Sequence, residues 1–129
     1  ALVVGTTNRS EFEIGYFTKY GDGGVDIEPI ADLYKGEIYA MAKRLKIPTE
    51  IIEVAPTAAL WPGQTDEKEL GMDYNKLDTA LKLLSQGFMP AEVSALTNLD
   101  SKKIQKIIDR KTKNSHKWSM PPVCKLKNI

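Results

Sequence analysis

Cysteine and histidine are almost absent from this chain of 129 residues, which has Cys124 as its one cysteine and His116 as its one histidine. A single cysteine cannot form an internal disulfide. The two residues together also provide too few ligands for a structural zinc site built from cysteines and histidines. We therefore expect any bound metal to be held by carboxylates and phosphates.

Long apolar runs are also absent. No run approaches the roughly 18 residues of a membrane-spanning helix, and the first residues lack the charged-then-apolar pattern of a secretion signal. We therefore predict a cytoplasmic protein with no membrane partner. Apolar residues make up 42% of the chain and charged residues 27%, which is typical of one folded globular domain.

The net charge of +1 hides a strong asymmetry along the chain. Residues 101–129 contain nine of the 18 basic residues and a single acid, Asp109, so this basic tail carries +8. The other nine basic and 16 acidic residues give the first hundred residues a charge of −7. Such a tail is either a solvated helix surface or a surface that binds a polyanion, such as nucleic acid or nucleotide phosphates.

Residues 5–26 combine glycines with polar and charged residues. They follow the apolar residues 2–4, which predict a buried strand leading into a polar turn where a ligand can bind. Ser10 and Glu13 form a capping-box pattern, which predicts a helix over residues 11–19 whose apolar side carries Phe12, Tyr16 and Tyr20. The following GDGG sequence, residues 21–24, predicts a turn in which the backbone can approach a ligand closely.

The middle of the chain alternates helical patterns with turn signals. Residues 25–27 are strand-like, and Asp32 is a candidate N-cap for a helix with an apolar stripe from Tyr34 to Leu45. Residues 49–54 fit either a short helix or a strand. Residues 55–71 contain four prolines and glycines and predict a long loop, which in a compact domain is usually functional or disordered.

The last third is predicted to be helical, with helices over residues 73–86, from about Pro90, and after an N-cap at Asp100 or Ser101. From Pro121 onward we expect an extended or frayed end. The two helices between Pro90 and Arg110 also fit a helix-turn-helix, which makes a nucleic-acid-binding module the main rival to an enzyme. Two helices joined by a tight turn are, however, a general packing unit.

Several of these segments resemble the NAD synthetases, a family of ATP-pyrophosphatases. The segments are Gly5-Thr6, Asn8, Ser10-Glu11, GYFTKYGDGGVD (15–26), Pro29, Leu33-Tyr34-Lys35, Pro56-Thr57, GQTDEKELG (63–71) and Ser115-His116-Lys117, and they span nearly the whole chain. The family's SGGxDS pyrophosphate-binding loop does not occur. The resemblance therefore implies an α/β fold, namely the C-terminal half of a Rossmann-like adenine-nucleotide hydrolase fold, with parallel strands followed by a mostly helical C-terminal part.

The resemblance implies an ammonia-dependent ligase that converts deamido-NAD, ATP and ammonia to NAD, AMP and pyrophosphate through an adenylated intermediate. It also implies Mg²⁺ as a cofactor and a homodimer of the complete enzyme. The synthetase region of a glutamine-dependent enzyme is the alternative within the family. We expect one domain with a nucleotide-site core (1–30), a helix and active-site loop (31–72) and a helical region with the basic tail (73–129). Alone, this portion is expected to be inactive.

The resemblance also assigns individual residues. It makes Glu11 the magnesium ligand, gives ATP contacts to Thr6, Lys35 and Thr57, and gives deamido-NAD contacts to Lys19, Asp26, His116 and Lys117. Each has an ordinary structural alternative: Glu11 could simply favour the helix dipole, and Lys19 could pair with Asp22 or Asp26. No general acid or base is assigned, because no nucleophile or orienting acid is recognisable near His116.

Overall fold

The computed structural model describes residues 1–126; residues 127–129, which include Lys127 of the basic tail, lie outside it. Residues 1–126 form seven α-helices and one 3₁₀ helix. These are α1 (Arg9–Ile14), α2 (Lys35–Arg44), α3 (Thr49–Ile52), α4 (Asp66–Leu70), α5 (Tyr74–Ser85), α6 (Pro90–Thr97), α7 (Ser101–Lys113) and the 3₁₀ helix Ser115–Trp118. None of these helices is long and apolar enough to cross a membrane. Residues 121–126 have no regular secondary structure and are exposed, as predicted for the chain end.

The β structure is smaller than predicted. Val4 and Ile27 form one isolated parallel bridge, and the Gly5 N–H donates to the Ile27 carbonyl at 2.7 Å, which confirms a strand-like segment at residues 25–27. No longer strand occurs within residues 1–126, so the predicted parallel strands are not confirmed. The prediction that residues 2–4 are buried is wrong, since Val3 is 58% exposed. A strand is buried only where other elements cover it, and here its backbone pairs with the segment around Ile27.

Helix α1 is displaced from its predicted position over residues 11–19. Its N-cap is Asn8, whose side chain accepts from the Glu11 N–H, while the Glu11 carboxylate accepts from the Asn8 N–H, both at 3.1 Å. The capping box is therefore Asn8 with Glu11, not Ser10 with Glu13. Gly15 ends the helix in the left-handed region at φ 65°. The predicted apolar side is correspondingly wrong at Tyr20, which lies beyond the helix and is exposed.

Helices α2 and α3 contact each other. Tyr34, not the predicted Asp32, precedes α2, and Asp32 instead accepts from the Arg9 guanidinium at 3.2 Å. Residues 49–54, which fitted two structures, contain the short helix α3. Met41 and Leu45 at the end of the predicted stripe are exposed and lie outside the core, whereas Tyr34 at its start is buried in it.

The hydrophobic core lies between α1, α5, α6 and α7. Of these four helices, all but α1 are close to their predicted positions. The buried residues of the core are Ile14, Tyr34, Leu70, Met72, Tyr74, Leu77, Ala80, Leu81, Val93, Leu99, Ile104 and Ile107. Each fully buried leucine or isoleucine stabilises the fold by roughly 1.5–3 kcal/mol relative to exposure. Helices α6 and α7 therefore pack against each other as part of this core. Helix α5 contacts both α1 and α2.

The predicted loop over residues 55–71 is irregular only in its first part. Helix α4 interrupts it at Asp66, where the Thr65 side chain accepts from the Lys68 N–H and caps the helix. Gly71 ends α4 at φ 76°. The irregular part, residues 53–65, leads from α3 into α4, and Trp61 on it is 54% exposed.

Candidate functional site

A cleft of about 1050 Å³ lies between α1, α2, α3 and the loop of residues 53–65. Its polar side includes Thr6, Glu11 and Lys35, which lie where the opening segment turns into α1 and where α2 begins. Apolar side chains such as Ile38 and Ile51 line the opposite side. A cleft with one apolar wall and a few converging polar groups is the usual form of a small-molecule site.

Five of the eight residues predicted to form the site line this cleft: Thr6, Glu11, Lys35, Thr57 and Lys117. They come from the start of α1, the start of α2, the loop and the 3₁₀ helix, so the fold brings together residues that are far apart in sequence. The other three, Lys19, Asp26 and His116, do not line it.

Glu11 has partners at both carboxylate oxygens. Its Oε2 accepts from the Asn8 N–H in the capping box, and its Oε1 lies 3.3 Å from both the Lys35 ammonium and the Tyr74 hydroxyl. The Glu11 side chain keeps 16% of its surface exposed, and that of Lys35 keeps 20%. The pair is thus held at the edge of the cleft, with its charges largely neutralised by each other.

The start of α2 is positioned by a buried serine and aspartate. Ser10, which is fully buried, accepts from the Lys35 N–H at 2.9 Å and donates to the Asp78 carboxylate, whose other oxygen accepts from the Gly36 N–H at 2.9 Å. Burial raises the pKa of Asp78, and the hydrogen bonds from Ser10 and Gly36 oppose that shift. Asp78 was not predicted, since it lies 68 residues from Ser10 and forms no local motif with it.

A chain of hydrogen bonds runs from Glu11 into α4. The Tyr74 hydroxyl lies 2.8 Å from Asp66 Oδ2, and the Tyr16 hydroxyl donates to Glu69 at 2.7 Å and lies 3.4 Å from Asp66 Oδ1. Burial, reinforced by the neighbouring carboxylates, raises the pKa of both phenols, so they remain protonated donors at neutral pH. The helical spacing that places Tyr16 on an apolar side does not reveal this network, because its partners lie 50 or more residues away.

The Gln64 side chain extends the same network to the loop. Its amide donates to Glu69 Oε1 at 2.7 Å, and its carbonyl accepts from the Leu60 N–H at 2.7 Å. Gln64 and Asp66 belong to the GQTDEKELG segment, which was the available signal for this part of the site. The loop is therefore joined through side chains to the residues around Glu11.

The 3₁₀ helix docks on the end of α1. The Lys117 ammonium donates to the carbonyls of Gly15, at 2.6 Å, and Phe17, and burial lowers the pKa of this lysine. The Lys19 ammonium donates to the His116 carbonyl instead of pairing with Asp22 or Asp26. Asp26 itself accepts from the Val3 N–H at 2.8 Å. Each of the predicted deamido-NAD residues therefore takes part in a contact inside the chain, and their role toward substrate stays a prediction.

The carboxylates of the cleft fit a metal ion only in part. Among residues 1–126, no group of three or more aspartate, glutamate, histidine or cysteine side chains is arranged to hold a metal. Magnesium, however, typically uses one or two carboxylates and completes its shell with phosphates and water. Glu11, at the edge of the cleft beside a lysine, fits this role as a single ligand.

Comparison with known proteins agrees with this picture. The family model for NAD synthase matches residues 1–121. An NH₃-dependent NAD⁺ synthetase of Archaeoglobus fulgidus is 46% identical over 128 residues, which are 99% of this chain and 48% of the relative. The corresponding protein of Methanocaldococcus jannaschii is 48% identical over 121 residues, covering 94% of this chain and 47% of the relative.

Two solved structures are also similar. The NMN synthetase of Francisella tularensis has a TM-score of 0.78 and 33% identity over 97% of this chain and 47% of the other. The NH₃-dependent NAD synthetase of Campylobacter jejuni, solved with a nitrate ion, has a TM-score of 0.69 and 34% identity over 97% of this chain and 45% of the other. The chain thus spans about half the length of the relatives it matches. With a family match over residues 1–121 and this shared fold, the chain belongs to the NAD synthase family.

Proposed function

We propose that this chain is the C-terminal portion of an ammonia-dependent NAD synthetase. The observation that carries the proposal is the pairing of Glu11 with Lys35 in a cleft that Thr6 and Thr57 also line. These four residues are the ones that the family resemblance assigns to magnesium and ATP. The names of the curated relatives support ammonia as the nitrogen source.

The proposed reaction has two steps. The nicotinate carboxylate of deamido-NAD attacks the α-phosphorus of ATP, so a carboxylate–phosphate bond forms and pyrophosphate leaves. Ammonia then attacks the activated carbonyl carbon, the bond to AMP breaks, and the nitrogen loses a proton to give the amide of NAD. The attack requires the two negatively charged substrates to be neutralised and aligned.

The residues of the cleft can meet these requirements. Lys35, exposed enough to reach a ligand, would turn from Glu11 to the phosphates and offset their charge. Thr6 and Thr57 would donate hydrogen bonds to ATP. Glu11 would hold Mg²⁺, which when bound supplies positive charge to the phosphate oxygens. Once Lys35 has moved, Glu11 keeps its Asn8 hydrogen bond and therefore its orientation.

Binding of deamido-NAD is proposed for Lys19, Asp26, His116 and Lys117. Lys117 already lies on the cleft wall, while His116 is an exposed residue beside it on the 3₁₀ helix. Since the ammoniums of Lys19 and Lys117 now bind carbonyl groups, substrate binding would exchange these bonds for bonds to phosphate or carboxylate. We further propose that the complete enzyme is a cytoplasmic homodimer.

The pyrophosphate loop and a second magnesium ligand would come from the half of the family sequence that this chain does not match. The test is a chimera in which the full chain replaces the matching half of the Archaeoglobus fulgidus relative. We expect NAD to form from deamido-NAD, ATP and ammonium, and Glu11→Ala to lower the rate about 100-fold or more. Asp109→Ala, at an exposed carboxylate on α7, is the control and should leave the rate unchanged. A folded chimera that makes no NAD would contradict the proposal.

A mononucleotide substrate is a second candidate, because the solved structure with a TM-score of 0.78 is named an NMN synthetase. Such an enzyme would amidate the mononucleotide of nicotinic acid through the same adenylate. The chimera should therefore be assayed with both carboxylate substrates. A higher kcat/KM for the mononucleotide would favour the second candidate.

The basic tail gives less support to a nucleic-acid-binding module. Two of its cations have partners within the chain that no proposed ligand displaces: Arg110 donates to the Glu69 carbonyl, and Lys111 donates to Glu13 at 2.7 Å. These contacts favour a structural role for this part of the tail. Binding of duplex DNA with a steep salt dependence, unaffected by Glu11→Ala, would instead favour nucleic acid.

A further inference from the structure

We propose that Tyr74 is a positioning residue for the Glu11–Lys35 pair, with its hydroxyl orienting Glu11 and its ring holding the Lys35 ammonium. The proposal rests on the function proposed above and deepens it, since nothing in the family resemblance gives Tyr74 a role. Tyr74 is buried at the first position of α5, directly after the N-cap Asp73, so its ring is fixed by the core.

The two oxygens of Glu11 are held in different ways. Oε2 accepts from a backbone N–H, that of Asn8, in a local capping box that the helix itself maintains. Oε1 has two side-chain neighbours from other elements, the Lys35 ammonium and the Tyr74 hydroxyl, each at 3.3 Å. If Lys35 turns to a phosphate, Tyr74 is the side chain that remains to orient Oε1.

The Tyr74 hydroxyl is shared between two carboxylates. It lies 2.8 Å from Asp66 Oδ2 and 3.3 Å from Glu11 Oε1, and it carries one proton, which only one of them can accept at a time. The shorter distance favours Asp66 while the Lys35 ammonium holds Oε1, and rotation of the hydroxyl hydrogen toward Glu11 would replace that ammonium once it turns to a phosphate. Asp66 is itself buried at the start of α4, so the hydroxyl links Glu11 to the helix that follows the loop.

The ring of Tyr74 supports the cation of the same pair. The Lys35 ammonium lies 5.2 Å from the ring centroid, within the range of a cation–π interaction. The Tyr74 ring therefore holds the Lys35 ammonium independently of Glu11, in a position from which the ammonium can reach the cleft. One buried tyrosine contacts both members of the pair, and its hydroxyl can be removed while its ring is kept.

Tyr74→Phe is the decisive variant, because it keeps the ring and removes the hydroxyl. In the chimera described above, calorimetry should measure ATP binding at a series of Mg²⁺ concentrations. We expect Tyr74→Phe to raise the Mg²⁺ concentration at which half of the maximal increase in ATP affinity is reached. The rise should be about 10–100-fold, the range typical of residues that orient metal ligands. ATP affinity without Mg²⁺ should stay within about twofold, because the ring that seats Lys35 is retained.

Tyr34→Phe is the matched control. Tyr34 is also a buried tyrosine, and its hydroxyl donates to a carboxylate, Glu13, at 3.0 Å, but Glu13, unlike Glu11, does not line the cleft. Tyr34→Phe should leave the Mg²⁺ dependence of ATP binding unchanged. Unchanged Mg²⁺ dependence in Tyr74→Phe, or an equal change in Tyr34→Phe, would overturn the proposal.

A second measurement needs no loss of a side-chain group. The chimera labelled with 3-fluorotyrosine should show the ¹⁹F resonance of Tyr74 shifting when Mg²⁺ is added with ATP, while that of Tyr34 stays in place. A Tyr74 resonance that does not respond would overturn the proposal even if Tyr74→Phe fails to fold. NAD synthesis by the unsubstituted chimera is measured in parallel, so failure of the proposed function is distinguished from failure of the role of Tyr74.

Discussion

Ser10 shows how one buried hydroxyl can set the geometry of a site without contacting a ligand. It joins α1, α2 and α5 by accepting from the Lys35 N–H and donating to Asp78. Ser10→Ala removes both bonds and leaves a buried carboxylate oxygen and a backbone N–H without this partner. We expect the free energy of unfolding to fall by about 1–3 kcal/mol.

Chemical denaturation of the full chain measures this cost. Ser85→Ala is the control, because Ser85 is exposed and donates to the Lys82 carbonyl of its own helix. It should change the free energy of unfolding by less than about 0.5 kcal/mol. Equal costs for the two variants would show that the Ser10 bridge does not stabilise the fold.

Glu13 provides a test of pH dependence at the residue scale. Burial alone would raise the pKa of Glu13, but its hydrogen bonds with Lys111 and Arg9, helped by Tyr34, lower it below the ordinary value of 4.5. A carboxyl whose pKa is lower in the folded state stabilises the fold above about pH 4.5, and this contribution is lost as the pH falls through the folded pKa.

The free energy of unfolding of the unsubstituted chain should therefore exceed that of Glu13→Gln most at pH 5 and above, and the difference should shrink as the pH falls below about 4.5. Urea denaturation at a series of pH values measures it. Lys111→Met should be costly in the unsubstituted chain and less so in the Glu13→Gln background, since the 2.7 Å ion pair is then already broken. A difference that grows on acidification would contradict the assignment.

At the element scale, the join between α1 and the 3₁₀ helix depends on Gly15. Its φ of 65° is strained for other residues, and a Cβ there would overlap the Asn114 side chain, which donates to the Ile14 carbonyl. Gly71 is a matched comparison, with φ 76° but open space within 4 Å of the point that a Cβ would occupy. Substitution of Gly71 thus tests backbone strain alone, and substitution of Gly15 tests backbone strain together with steric overlap.

We expect Gly71→Ala to lower the free energy of unfolding by about 1–2 kcal/mol, the cost of the left-handed backbone. Gly15→Ala should cost more and should also loosen the 3₁₀ helix. Trp118 on that helix reports this directly, because its indole N–H donates to the Phe12 carbonyl at 2.8 Å. Equal costs, with unchanged tryptophan fluorescence, would mean that Asn114 accommodates the added methyl group.

The elements differ in how far the sequence predicts them, and the reason is where their apolar faces lie. Helices α5 and α7 are predicted well because their own stripes fill the core, through residues such as Leu77 and Ile104. Helix α1 is predicted in the wrong place because Asn8 with Glu11 and Ser10 with Glu13 both fit a capping box. The contact of Ser10 with Asp78 gives the second pair a different function, and local spacing does not reveal it.

The residues of the candidate site likewise differ in how far the sequence predicts them. Motif resemblance indicated Glu11 and Lys35, which lie close together at the edge of the cleft. It could not indicate Tyr74, whose contact with Glu11 joins residues 63 positions apart and whose spacing fits an apolar helix face equally well. Side chains that position a site from another element are visible only once the packing is known.

For the whole molecule, two groups of exposed apolar side chains are candidate contacts with further parts of the family fold. One comprises Leu2, Val3, Val4 and Ile27 along the β bridge; the other comprises Met41, Leu45, Ile51, Leu60 and Trp61 around the cleft. Large exposed apolar regions usually mark interaction surfaces. Because the chain spans about half of its relatives, we predict that the other half of the family fold covers the first group.

The unmatched half of the Archaeoglobus fulgidus relative, co-expressed with this full chain, should protect the backbone amides of residues 2–5 from hydrogen exchange. Val3→Asp should abolish the protection and the association, because it places a charge in an apolar interface. Val123→Asp is the control: Val123 is 85% exposed in residues 121–126, which have no regular secondary structure, and the change should have no effect. Exchange at residues 2–5 that is equally fast with and without the second half would show that this apolar surface is covered in another way, and that the two halves do not complete a shared sheet at Val4.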